Sequence, residues 1–150
     1  MRQSGRIIVL GVASVVVFTV FSCSKIGIED PADTFVGEYN FIDKYTAVWG
    51  NDSRTINSGG TFWLTKISKD QVKMTGAWTT IGTVVENTIS FGQDMSSDAD
   101  GFITYTFGVG TLIDDILTFK YSGTGSLKYT DGRSYPCSLS GTVTARKVEK

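Results

Sequence analysis

The chain has 150 residues, 41% of them hydrophobic, with 14 Lys and Arg against 15 Asp and Glu for a formal net charge of −1. That is one ordinary domain plus a short extra segment. Histidine is absent, which removes Ser-His-Asp and Cys-His nucleophile pairs, imidazole metal sites and histidine pH switches; the near-neutral charge leaves no basic face for a nucleic-acid partner.

The first segment reads as an address. Arg2 and Arg6 precede an apolar run from Ile7 to Phe21 that contains no acid. The run is 15 residues long, short of the roughly 20 helical residues needed to span a hydrocarbon core. A basic start, a short apolar centre and a small residue before the cut site describe a secretory signal peptide over residues 1–22. Val20-Phe21-Ser22-Cys23 resembles the lipobox of bacterial lipoproteins. That resemblance implies cleavage after Ser22, a diacylglyceryl thioether on Cys23, and a chain anchored to the outer membrane by lipid. Removing residues 1–22 from the 150 leaves 128. Residues 23–34 then form a polar tether in which Pro31 discourages a helix. The chain has two cysteines, so lipidation of Cys23 leaves Cys137 without a disulfide partner and safest when buried.

Residues 35–150 form the domain, and there the recurring period is two. Tyr39 and Phe41 alternate with Glu38 and Asn40. Val72, Met74, Gly76 and Trp78 alternate with Lys73, Thr75 and Ala77. Ile103, Tyr105, Phe107 and Val109 share one parity, as do Leu117, Phe119 and Tyr121. The last run is clearest: Tyr135, Cys137, Leu139, Gly141, Val143 and Ala145 take one face, and Pro136, Ser138, Ser140, Thr142, Thr144 and Arg146 the other. Successive strand side chains point to opposite faces, so each run has one dry flank and one wet flank. Ser68-Lys69-Asp70, Glu86-Asn87, Asp114-Asp115 and Asp131-Gly132 are turn signals of hairpin length. Two connections read as long, Asn51–Gly60 and Gly92–Gly101, and no window carries a helical stripe. About eight short strands joined in order predict an all-β, up-and-down antiparallel barrel, which hides its edges by closing. A two-sheet β-sandwich is the alternative.

Phe35-Val36-Gly37-Glu38-Tyr39 is similar to the Gly-x-Trp opening of lipocalins, with Tyr39 in the Trp position. Together with Gly110-Thr111-Leu112, Leu117–Tyr121 and Cys137…Ser140-Gly141-Thr142, it resembles the small lipocalin-like lipoproteins of the Bacteroidetes. The resemblance implies a calycin-type barrel that binds apolar ligands.

The inward aromatics, with one methionine, are therefore the candidate ligand lining: Tyr39, Phe41, Met74, Trp78, Tyr105, Phe107, Phe119, Tyr121, Tyr129 and Tyr135. Rings with a few phenol hydroxyls suit a pocket for a small apolar or aromatic molecule, and equally suit a barrel packed solid. Trp49 and Trp63 read as rim residues, Trp63 having the parity opposite to Phe62 and Leu64. The acidic stretch Asp94–Gly101 reads as a solvated loop without the ligand spacing of a calcium site. Glu38 faces outward, Glu86 sits in a turn and the aspartates cluster in loops, so no acid–base pair for catalysis is expected. No enzyme, cofactor or metal site is expected. Two readings stand: a tethered barrel that binds a small apolar ligand, or a packed barrel that docks a protein or glycan through its loops or outer face.

Overall fold

The computed structural model describes residues 30–98, 101–128 and 132–149. The segment expected to be a signal peptide, the expected lipidation site Cys23, Tyr129 and Asp131 lie outside the described residues.

A short helix opens the domain, α1 (Pro31–Phe35). This corrects the expectation of a polar tether in which Pro31 discourages a helix: it sits in the first turn, where its missing N–H costs nothing and its fixed φ suits the helix. Ala32 and Phe35 are fully buried, and the Ala32 N–H donates to the Lys69 carbonyl at 3.1 Å. The helix thus plugs one end of the sheet. On its exposed side the Lys66 ammonium reaches Asp30 at 2.7 Å and Asp33 at 2.9 Å.

The rest is strand: β1 (Gly37–Trp49), β2 (Asp52–Lys66), β3 (Gln71–Gly76), β4 (Thr80–Val85), β5 (Thr88–Phe91), β6 (Asp94–Asp98), β7 (Gly101–Phe107), β8 (Val109–Ile113), β9 (Ile116–Lys128) and β10 (Ser134–Lys147). All pairings are antiparallel within one sheet, ordered β10-β1-β2-β3-β4-β5-β8-β9-β7-β6, and β10 also pairs with β9. The strands β1, β2, β3, β4, β5, β8, β9 and β10 therefore close a ring of eight, the barrel-like architecture that the alternation predicts, and one sheet curls on itself instead of two stacking face to face.

The two connections expected to be long are not loops. Gly50 and Asn51 alone turn the chain, Gly50 at φ +56°, and β2 begins at Asp52. Asp94–Asp98 likewise pairs with β7 as β6. Both segments are polar because they are edges. Pairing of β2 with β3 runs only from Phe62 to Lys66, and β6 pairs only with β7. Among the described residues, no ladder joins the first half of β2 to β6, so the ring is shut at the α1 end and flares at the other.

The expected parity of Val109 also fails, and the cause is local. Phe107 lies opposite Tyr121 whereas Thr111 lies opposite Thr118, so one extra residue is inserted at Gly108, whose N–H donates to the Lys120 carbonyl at 2.7 Å. This β-bulge flips the alternation, leaving Val109 61% exposed and Gly110 buried.

The shut half is packed solid with rings. Tyr39 stacks on Phe62 at 5.2 Å, and Phe91 meets Phe119 edge-on at 5.4 Å and Phe107 at 5.9 Å. The Tyr39 hydroxyl, which burial keeps protonated well above the ordinary phenol range, donates to the Phe35 carbonyl at 2.9 Å. That bond ties α1 to β1 inside the core.

Candidate functional site

Every second residue of β1 faces inward, giving the row Tyr39, Phe41, Asp43, Tyr45, Ala47 and Trp49. The row begins in the packed core and ends at the flared rim. Between the two stands Trp78, on the link from β3 to β4. Gly76 ends β3 at φ +117°, where a Cβ would meet the Thr61 carbonyl oxygen at 2.8 Å, and the chain turns inward there. Below, Trp78 meets Phe119 at 6.0 Å and Phe107 at 5.8 Å; above, it meets Phe41 and Tyr121, each at 5.5 Å, and Tyr105 at 6.5 Å. One indole thus closes the core and floors what lies above it. Asp94 of β6 fixes the same link from the far side of the gap, accepting the Thr79 N–H at 3.1 Å. Asp94 is thereby a strand residue with a structural bond, which corrects its expected place in a solvated loop.

Above Trp78 lies a cavity of about 390 Å³. Phe41, Tyr45, Tyr105, Tyr121 and Leu139 are among its walls, and Ile56 and Ser58, in the stretch of β2 that pairs with β1 but not with β3, bound its open side. Its polar centre is Asp43, which is only 4% exposed although it lies in the middle of a strand. The Tyr121 hydroxyl donates to Asp43 Oδ2 at 2.6 Å. To do so the phenol of β9 must cross β10, and Gly141 makes the crossing possible. Gly141 lies opposite Tyr45 on one side and Tyr121 on the other, and a Cβ on it would stand 2.6 Å from the Tyr121 ring. Asp43 Oδ1 is buried without a hydrogen-bond partner, as is the indole nitrogen of Trp49.

Burial pushes the Asp43 carboxyl above its ordinary range, and the Tyr121 bond only partly opposes this. The Tyr121 phenol is raised in turn, first by burial and then by its bond to Asp43, so it stays a donor. Burial also raises the Cys137 thiol at the cavity wall. Cys137 is a free, buried cysteine, as its parity predicts.

Of the predicted lining, Phe41, Trp78, Tyr105 and Tyr121 come together around the cavity. Tyr39, Met74, Phe107 and Phe119 do not: they fill the shut half, because small rings close-pack wherever every strand is paired. Tyr135 lines a separate hollow at the rim with Trp49, Gly50, Asn51 and Asp52. Trp49 and Trp63 part company as well. Trp49 belongs to both the cavity and that rim hollow, whereas Trp63 lies on the outer face at 44% exposure. Asp43 is the residue that sequence reasoning missed. The expectation that the aspartates cluster in loops is wrong for it, and the signal was the parity of Tyr39 and Phe41 carried one step further.

Glu38 pairs in register with Trp63 on the outer face, and Glu86 occupies a turn at φ +54°. Asp43 is thus the single carboxylate lining the cavity among the described residues. Among those residues no cluster of carboxylates and thiols could hold a metal, and no helix is long and apolar enough to cross a membrane. No protein-family model matches the chain, and no curated protein matches it.

Proposed function

We propose that this chain is a lipid-anchored protein of the cell envelope that binds a small apolar or aromatic molecule inside the flared half of its strand ring, as the lipocalin-like resemblance implies. The observation that carries the reading is the cavity of about 390 Å³ above Trp78. Small-ligand sites run from about 300 to 1,000 Å³, with mostly apolar walls and a few convergent polar groups. A barrel packed solid along its whole length would have no such space.

The anchor reading rests on Val20–Cys23. The domain starts with α1 at the shut end, while β1 runs from there to the flared rim. A lipid on Cys23 would join the chain on the side of its shut end, the end away from the cavity mouth.

Titration with the neutral probe N-phenyl-1-naphthylamine tests the binding reading. Saturable one-to-one uptake by the wild type is expected, and loss of that uptake in Ala47→Trp, which fills the cavity from β1. A wild type that takes up no probe overturns the proposal.

A further inference from the structure

We infer that the ligand of this cavity carries a protonated amine, seated on Asp43 and surrounded by the faces of aromatic rings. The inference rests on the cavity being a ligand site and names the chemistry that the site selects. Asp43 brings a carboxylate into an almost fully buried position, and its Oδ1 has no partner. A buried carboxylate left this way is costly unless a donor or an opposite charge completes it. The protein supplies one donor, the Tyr121 hydroxyl on Oδ2, and none to Oδ1. The titratable groups that face Asp43 are Tyr45 on its own strand, Tyr105 of β7, Tyr121 of β9 and Cys137 of β10, and no Lys or Arg lines the cavity among the described residues.

Three alternatives fit less well. An anionic ligand would be repelled by Asp43 with nothing to offset the repulsion. A purely apolar ligand would leave Oδ1 buried and unpaired, as it already is. A divalent metal ion needs several oxygen ligands, and one carboxylate does not provide them. An ammonium group pairs with Oδ1 and donates to it. The same group is attracted by the negative faces of aromatic rings, and Phe41, Tyr105 and Tyr121, which line the cavity with Asp43, have their ring centres 5.5–6.5 Å from that of Trp78. The remainder of the molecule then fills the apolar volume toward Leu139 and the rim. Trp49, the other residue with an unpartnered polar atom, lies farther along β1 at the rim and offers a donor, which makes no demand for positive charge.

The test compares 2-phenylethylamine, ethylbenzene and 3-phenylpropanoate on the wild-type protein by calorimetry and by tryptophan fluorescence. The amine is expected to bind tighter than ethylbenzene by at least about 30-fold, the weak end of the cost of removing one partner from a buried charge pair. The propanoate is expected to bind weakest. In Asp43→Asn the preference for the amine should shrink to within about threefold, with ethylbenzene affinity unchanged. If ethylbenzene or the propanoate binds the wild type as tightly as the amine, the inference falls and the binding reading survives. If none of the three binds, both fall. The wild-type comparison decides the matter whatever the variant does to folding.

Discussion

Replacing Asp43 with Asn in the ligand-free protein should stabilise it near neutral pH, contrary to the usual outcome for a buried residue with a short hydrogen bond. The carboxylate is 4% exposed and one of its two oxygens has no partner. The bond from Tyr121 at 2.6 Å survives the change in weaker form, since the amide oxygen also accepts it but carries no charge. The change puts a neutral amide where an ionised acceptor was held away from water; an unpaired buried neutral group costs about 1–3 kcal/mol and an ionised one more, and the difference is the gain. A gain near 1.5 kcal/mol would raise the melting temperature by roughly 6 °C for a domain of this size. The pH dependence is diagnostic. Burial raises the Asp43 carboxyl, so the folded chain keeps this proton over a range where the unfolded chain has released it. Stability linked to the group is complete below the ordinary carboxylate range and is lost as pH rises through the folded value. The advantage of Asn should therefore be largest near pH ~7 and close to nil near pH ~4. Melting curves of both proteins across that range measure it. A wild type that is the more stable at neutral pH would mean that Asp43 is fully satisfied in the folded state, and the account of the site would be wrong.

Gly141→Ala should cost about 1–3 kcal/mol, because the new methyl group displaces the buried Tyr121 ring, and the Asp43→Asn gain should be altered on that background; additive effects of the two changes would contradict the proposed crossing of β10. Tyr39→Phe removes the bond to the Phe35 carbonyl and should cost about 1 kcal/mol in chemical denaturation, whereas no loss would show that α1 is held without it. Cys137 should react with a disulfide reagent more slowly than an exposed thiol, since it is buried at the cavity wall and raised; labelling at the rate of a free thiol would place it outside. Trp63→Phe should change stability by less than about 0.5 kcal/mol, given its place on the outer face, and a larger loss in the same denaturation assay would count against that placement.

The strands legible in the sequence are those with one flank in the core. Residues of β10 from Tyr135 to Ala145 alternate because the ring presses one parity against β1 and β9 while the other faces water. The first half of β2 and all of β6 have no such contrast. They border the gap, both flanks are largely wet, and Asp52–Gly60 and Asp94–Asp98 carry the polar residues of an edge, which read as loops. A bulge hid the parity of Val109, since one inserted residue reverses a period of two without changing the composition. The helix Pro31–Phe35 is shorter than any window in which a helical stripe can register, and it is held by packing instead of by its own periodicity. Of the site, the aromatic walls were visible as inward rings, but the boundary between packed and open was not. That boundary is set by where β2 leaves β3, a long-range event centred on Phe62 and Gly76. Asp43 was assigned by residue type to the surface when its position in β1 placed it inside.

The central claim is that the flared half of the ring encloses an accessible, aromatic-walled space above Trp78. Crystals soaked in bromobenzene test it directly, because apolar cavities of this kind take up benzene-sized guests. Anomalous signal from bromine is expected among Phe41, Trp78 and Leu139, above the indole and away from Phe62. Bromine found only on the outer face, or a native structure in which side chains fill that volume, would contradict the claim.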